Sequence, residues 1–380
     1  MSKRQGAKRE KPIKYFDYSL LFIIIFLVCF GLVMLYSTSS YNGEVKFGDA
    51  AFYLKKQLFA TVLGLIAMGM IANIDYHVWM RFGKAAYLLA LALCVSVIFI
   101  GTTVNGSKRW LRLGPLSFQP SDFAKLCVII FLATMISRMP KQMGKFSTVI
   151  RVVVMVLPLV AVVAINNLST AIIILGIAVA LVFVASPKYL QFFLMGGLGV
   201  GFGAAFIMFE SYRAERLKIW LHPEDYALTT AYQSLQAKYA IGSGGLRGVG
   251  LFHNSGVVPI ATTDFIFGII GEELGFIGAS LFIILLMALT FRILWISTQT
   301  KNLFYKLICV GMAAMIGFQS SIHMGVNTSI LPNTGLPLPF VSYGLSSLTT
   351  NMIGIGLVLR IRAEIKKNQG GSSYEYRLNR

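Results

Sequence analysis

An all-α polytopic membrane protein of about ten transmembrane helices is predicted for this 380-residue chain, on three observations. Apolar residues make up 56% of it and charged residues 13%, against the ~25% charged usual in a soluble domain. The apolar residues fall into runs close to the ~20 residues that span a bilayer. Lysine and arginine collect between those runs and at the two ends, and no 20–50-residue period marks a soluble repeat array. A soluble core of this size could not cover so much apolar surface.

The expected spans, in order, are 18–36, 57–74, 84–101, 121–137, 149–165, 169–186, 189–209, 265–291, 304–326 and 343–361. The first follows a basic tail and lacks a small-residue cleavage site after it, so a permanent span is expected rather than a cleaved signal. The fifth and sixth are parted by Asn166-Asn167, and the tenth carries several Ser and Thr. Cys29, Cys94, Cys127 and Cys309 each lie inside an apolar run, placed for neither a disulfide nor a metal cluster.

Orientation follows from the basic residues, which favour the cytoplasmic side. With ten spans the two tails share a side, and that side carries 22 of the 34 Lys and Arg, against 11 on the other, Lys125 falling within a span. Both termini are therefore expected to be cytoplasmic: a basic tail at 1–15, a membrane domain over 16–365 and a second tail at 366–380. The net charge of +19 suits anionic lipid headgroups and not nucleic acid, because it lies between apolar runs. The long loops are outer ones: 37–56, 102–120, 327–342 and a large extracellular segment, 210–264, between spans seven and eight. Long segments of this kind in a compact protein are usually functional.

Three constellations could carry chemistry. Asn105-Gly106-Ser107-Lys108-Arg109-Trp110-Leu111-Arg112 puts three cations in an outer loop, against the charge rule, and suits phosphate or diphosphate oxygens or lipid anchoring. Gln119-Pro120-Ser121 then starts a helix with Asp122 and Lys125 on one face, i, i+3 apart, Lys125 about a turn inside the apolar run. In the second, Thr262-Thr263-Asp264 leads into span eight, where Asp264 could be a general base or a helix cap. Glu272 and Glu273 follow about 12 Å deeper at ~1.5 Å per residue, as a structural network or a catalytic pair. The third, Pro332 to Gly344 with three prolines, is stiff, non-helical backbone that shapes a pocket or simply turns.

Other signals carry less. Gly242-Ser243-Gly244-Gly245-Leu246-Arg247-Gly248 lacks the ending and the βαβ setting of a phosphate loop. The sequons at Asn105 and Asn327 are short enough to be chance, and His77, His222, His253 and His323 are too scattered for zinc.

At the three constellations the sequence resembles the SEDS family (shape, elongation, division and sporulation), which includes FtsW, RodA and SpoVE. The likeness runs nearly end to end. It is carried by Gly31-Leu32-Val33-Met34-Leu35-Tyr36-Ser37-Thr38-Ser39-Ser40, Arg109-Trp110, Gln119-Pro120-Ser121 with Lys125, Tyr232-Gln233-Ser234-Leu235-Gln236-Ala237, Thr263-Asp264-Phe265-Ile266-Phe267 and, most specifically, Gly335-Leu336-Pro337-Leu338-Pro339-Phe340-Val341-Ser342-Tyr343-Gly344. The first stretch and Tyr53-Leu54-Lys55-Lys56-Gln57 look more like the division (FtsW) branch or its sporulation relative. The chain departs from the family at Thr262 (His in many relatives), Asp122 (Glu), Asn166-Asn167-Leu168-Ser169-Thr170 (Pro-Asp-Leu-Gly-Thr) and Leu345 (Gly).

The resemblance implies an inverting peptidoglycan glycosyltransferase that polymerises lipid II on the outer face of the bacterial plasma membrane, at the division septum. Its implied partners are a class B penicillin-binding protein, other division proteins and membrane lipids. Asp264 aligns with the family's essential carboxylate. Arg109, Trp110, Asp122, Lys125, Gln233, Ser342, Tyr343 and Gly344 are the implied substrate-binding residues, Arg109 and Lys125 being the candidate cations for the leaving diphosphate, with Arg213, Arg216 and Lys218 looser ones. No cofactor is called for with certainty; a divalent cation such as Mg is left open. A lipid II flippase and a non-enzymatic division scaffold are the alternatives.

Overall fold

The computed structural model describes residues 17–104, 107–113, 116–188, 211–229 and 231–378. They form a helical bundle of α1 (Tyr18–Phe47), α2 (Phe52–Asn73), α3 (Tyr76–Ile100), α4 (Pro120–Arg138), α5 (Phe146–Val154), α6 (Leu157–Asn166), α7 (Leu168–Ala185), α8 (Ser211–Leu221), α9 (Tyr232–Ser243), α10 (Ile266–Thr298), α11 (Leu303–Asn327) and α12 (Leu345–Leu378). Among the described residues seven helices are long and apolar enough to cross a membrane, eight if α5 and α6, bent by 40°, count as one. Eight of the expected spans fall on these helices, and the run 189–209 lies outside the described residues. The tenth falls on α12, whose early turns carry Ser346, Ser347, Thr349, Thr350 and Asn351 and which is not one of the seven.

Helix ends follow local chemistry. Asp17 accepts from the Leu20 N–H (3.1 Å), Asp75 from His77 (2.8 Å), Asn167 from Thr170 (3.1 Å) and Asn302 from Phe304 (3.0 Å), each relieving an orphan donor of the first turn. Asn167 thus serves as the cap of α7. Pro120 sits in the first turn of α4, where its missing N–H costs nothing. α4 and α11 are the most enclosed spans, and α12 packs along α2.

The stretch expected as the 102–120 loop is a small antiparallel sheet, so the chain is all-α only in its spans. β1 (Thr102–Val104), β2 (Ser107–Leu113) and β3 (Leu116–Phe118) pair in that order, with Thr102 opposite Trp110 and Arg112 opposite Ser117. Lys108, Trp110 and Arg112 alternate with Arg109, Leu111 and Leu113, the period of a strand, and a loop reading overlooks it. The segment 210–264 is likewise not one loop. It holds α8 and α9, and α9 packs its Ala237 and Ile241 against Gly268 and Gly271 of α10.

α10 breaks at Gly275 (φ 65°, ψ −169°), a region essentially reserved for glycine. The glycine-rich stretch 244–250 fills the break. Val249 and Gly250 donate to the carbonyls of Glu272 and Glu273 (both 3.0 Å), while Phe276 and Ile277 donate to Gly245 and Leu246 (2.8 and 3.2 Å). The apparent phosphate loop is thus the plug of a broken span. It satisfies backbone groups that a bilayer would leave bare.

Candidate functional site

One end of the bundle opens into a cavity of about 1190 Å³, larger than the ~300–1,000 Å³ of most small-molecule sites. It is lined from six directions: α2, the sheet, the start of α4, α9, the approach to α10 and the proline-rich segment before α12. Asp264, Arg109, Trp110, Asp122, Gln233, Tyr343 and Gly344 all line it. Residues more than two hundred positions apart thus meet in one chamber. Lys125 and Ser342 do not line it; both are buried. Lys218 is exposed and is not part of the wall, and the side chains of Arg213 and Arg216 lie outside the described residues.

Asp264 precedes Phe265, the N-cap of α10, and no side chain of that cap residue closes the helix. The first-turn donor Gly268 N–H is instead taken by the side chain of Asn327, at 2.8 Å. The carboxyl group of Asp264 is left on the cavity wall. Burial pushes its pKa above the usual carboxylate range, while a hydrogen bond from the Thr263 hydroxyl and the Arg109 guanidinium draw it partly back.

Gly335 lies against both Asp264 and Arg109. Its φ is +63°, and a Cβ there would stand 3.4 Å from Asp264 Oδ2 and 3.7 Å from Arg109 Nη1. The carboxylate and the guanidinium therefore converge on the space a side chain would fill. Arg109 is itself held by a 2.9 Å bond from Nε to the Asn166 carbonyl, so α6 fixes its reach.

The proline-rich segment is irregular backbone packed inside the bundle, and side chains satisfy it. Gln57 donates to the Ser342 carbonyl (3.3 Å) and accepts from the Gly344 N–H (3.1 Å). Gln319 donates to the Pro337 carbonyl (2.7 Å), and His323 Nδ1 lies 2.7 Å from the Leu336 carbonyl. Two bonds then stitch the segment to the acid's own strand. Ser342 Oγ donates to the Thr263 carbonyl (2.6 Å), and the Tyr343 N–H to the Thr262 carbonyl (2.9 Å). Phe340 pays for its tight fit with a φ of 67°, and Gly31 of α1 lets that backbone approach, since a Cβ there would meet Val341 Cα at 2.8 Å.

Asp122 and Lys125 pair at 2.9 Å, both nearly excluded from solvent, so the shorter Asp still reaches. Lys125 also donates to Gln319 Oε1 at 2.8 Å. A polar chain thus runs from the cavity wall at Asp122 through Lys125 and Gln319 to the Pro337 carbonyl. Glu272 and Glu273 join no part of the chamber. Glu273 bonds Ser37 and accepts from Asn254 (2.6 Å), and Glu272 accepts from the Ser255 N–H (2.8 Å), a structural network beside the helix break. Among the described residues no group of three or more His, Cys, Asp or Glu is disposed to hold a metal ion.

The residues that sequence reasoning passed over are amides: Gln57, Gln319 and Asn327. Their signal was present, since each is a polar side chain inside or at the edge of an apolar run. Which carbonyl each would meet depends on the packing of distant helices.

Comparison with known proteins agrees with this architecture. The chain is 34% identical over 362 residues to the stage V sporulation protein E of Bacillus subtilis (strain 168), covering 93% of this chain and 98% of that protein. It is 32% identical to a probable peptidoglycan glycosyltransferase FtsW of Geobacter sp. (strain M18), covering 94% and 99%. Among solved structures it superposes with a TM-score of 0.76 and 26% identity on a chain of a peptidoglycan synthase complex described as coordinating polymerisation and crosslinking, covering 92% and 98%. Against the rod shape determining protein RodA of Thermus thermophilus the TM-score is 0.67 at 25% identity, covering 93% and 98%. The cell cycle protein model for FtsW, RodA and SpoVE matches residues 18–367, and with relatives this similar over their whole length the chain belongs to that family.

Proposed function

We propose that this protein is a peptidoglycan glycosyltransferase that polymerises lipid II at the outer face of the bacterial plasma membrane during cell division, with Asp264 as general base. The observation that carries the proposal is the convergence of a desolvated carboxylate and a guanidinium on Gly335 at the wall of a large chamber. In this mechanism Asp264 removes the proton from the acceptor's GlcNAc 4-hydroxyl. That oxygen forms a bond to the donor's anomeric carbon as the bond to the diphosphate breaks, with inversion, and undecaprenyl diphosphate leaves with the electron pair. Arg109 and Arg112 stabilise the charge that develops on the diphosphate. A pKa raised by burial makes the carboxylate a stronger base than an exposed Asp.

The other implied residues divide by position. Trp110, Gln233, Tyr343 and Gly344 line the chamber and would contact sugar, peptide or headgroup. Lys125, below the wall, would act by holding Asp122, and Ser342 by holding the Thr263 carbonyl. The proposed topology has ten spans, with tails 1–15 and 366–380 cytoplasmic, 210–264 outside, and a class B penicillin-binding protein and other division proteins as partners.

The test uses purified protein with its penicillin-binding partner and labelled lipid II. Polymer from the wild type that disappears in Asp264→Ala, at unchanged protein level, supports the enzyme. Translocation of lipid II in vesicles without polymer would replace it with a flippase, and neither activity would leave a scaffold.

A further inference from the structure

We propose that Asn327, at the C-terminal end of α11, is a positioning residue for Asp264: it closes the N-terminus of α10 from another helix and so keeps the catalytic carboxylate off its own helix and in the chamber. This rests on the reading of Asp264 as general base.

Three bonds engage both donors and one acceptor position of the Asn327 amide. Oδ1 accepts from the Gly268 N–H (2.8 Å), and Nδ2 donates to the Asp264 carbonyl (3.1 Å) and to the His323 carbonyl (2.8 Å). The side chain is fully buried. Gly268 N–H also makes the local turn to the Phe265 carbonyl (3.0 Å), and it is shared between that turn and Asn327.

An Asp just before a helix is normally drawn to that helix's free N–H groups and to the positive end of its dipole. A carboxylate so engaged is a poorer base, because those donors stabilise its charged form. Here the Gly268 N–H, the first-turn donor that a capping side chain takes, is already occupied, and the Asp264 carbonyl is fixed by the same amide. The carboxyl group turns instead to Thr263 and Arg109. Only a group that both donates and accepts can hold the Asp264 carbonyl and Gly268 N–H together, which is why an amide suits position 327.

Two replacements at this position shift the acid limb of the pH–rate profile in opposite directions. In Asn327→Ala the Gly268 N–H keeps only its turn to the Phe265 carbonyl and is open to the Asp264 carboxylate. The limb should move to lower pH, and kcat should fall on the order of 100-fold with KM for lipid II little changed, since the base is misplaced rather than the substrate. In Asn327→Asp the acceptor to Gly268 remains, the donation to Asp264 is lost, and a second negative charge is added nearby. There the limb should move to higher pH. Several titratable groups share this environment: Arg109 and Arg112 from β2, Asp122 from α4, and Tyr343 from the proline segment. Tyr53, Lys55 and Lys56 from α2 line the same chamber, and His323 lies one turn behind on α11. All are unchanged in both variants, so opposite shifts belong to residue 327.

Lipid II polymerisation by the complex with its penicillin-binding partner, across a pH series, reads both variants, with melting temperature in detergent as the check on folding. A limb left at the wild-type pH in every variant that folds overturns the inference, whatever the loss of rate. If Asn327→Ala does not fold, Asn327→Asp decides alone: its limb must rise. Wild-type protein that makes no polymer, or Asp264→Asn at full rate, sinks the general-base reading. An active wild type, an inactive Asp264→Asn and unmoved Asn327 variants sink only the positioning role.

Discussion

A carboxylate becomes a useful base when water is removed from one side of it and a cation is kept at a distance that helps the leaving group without quenching the base. In the proposed mechanism Asp264 meets both conditions, being buried with Arg109 across Gly335 from it. Gly335→Ala should therefore cost twice. The φ of +63° penalises any Cβ by about 1–2 kcal/mol, and the methyl group would sit in van der Waals contact with the Asp264 carboxylate and the Arg109 guanidinium, covering polar surface that faces substrate. Melting temperature should fall by a few degrees while polymerisation falls much further; equal losses in both would mean that Gly335 only turns the chain. The pH dependence has a definite sign. The base works only when ionised, and burial raises its pKa, so activity should fail on acidification at a pH above the ~3.9 of an ordinary Asp. A pH series of initial rates checks this, and an acid limb at or below that value would place the working base elsewhere. Asp264 and Arg109 were both legible in the sequence as charges against the membrane rules. The partners of Gln57, Gln319 and Asn327 were not, because an amide's role is fixed by which carbonyl lies opposite, and nothing local in the chain encodes that.

At the scale of elements, most of the spans were legible because a bilayer demands long apolar runs and the composition supplies them. Elements stabilised by partners were harder to see. α8 and α9 are 11 and 12 residues long, too short to stand out by periodicity, and the sheet has two three-residue strands. The helix break is the clearest case. Gly275 follows Glu272-Glu273 inside a long apolar run, and the insertion of residues 244–250 explains the break there. A Cβ on Gly248 would come within 2.1 Å of the Glu273 carbonyl oxygen, with φ at +82°. Gly248→Ala should push the plug out and expose unpaired backbone groups of α10, each costing about 1–3 kcal/mol. Loss of melting temperature in detergent, larger than for an alanine at Gly242, where a Cβ meets nothing within 4 Å, is the expected result. Equal tolerance at both positions would mean that the break survives without its plug.

Across the whole molecule the two ends differ in chemistry. One end holds the chamber with Asp264, Arg109 and Arg112. At the other, Asp17 is clamped by Arg292 (2.9 and 3.0 Å) and lies 3.4 Å from Arg362, while both guanidiniums stack on Trp295 at 4.3 and 5.1 Å. That cluster joins the start of α1, the last turns of α10 and the middle of α12, so the bundle is tied at the end away from the chamber. α4 begins at the chamber wall and its 19 residues rise about 28 Å, so the basic segment after it belongs to the tied end. The positive-inside bias then makes a prediction about the sidedness of the entire chain. Of the native cysteines only Cys29 is exposed, so a Cys29→Ser background leaves three buried thiols and a low labelling baseline. Leu228, between α8 and α9, is 94% exposed, and Lys145, before α5, is exposed. In intact spheroplasts a membrane-impermeant maleimide should label Leu228→Cys at once and Lys145→Cys only after permeabilisation. The reverse pattern would turn the chamber toward the cytoplasm, where a substrate could be loaded for transport but not polymerised outside. Labelling of both positions in sealed cells would deny the bundle a single orientation, and with it any one-sided chemistry for Asp264.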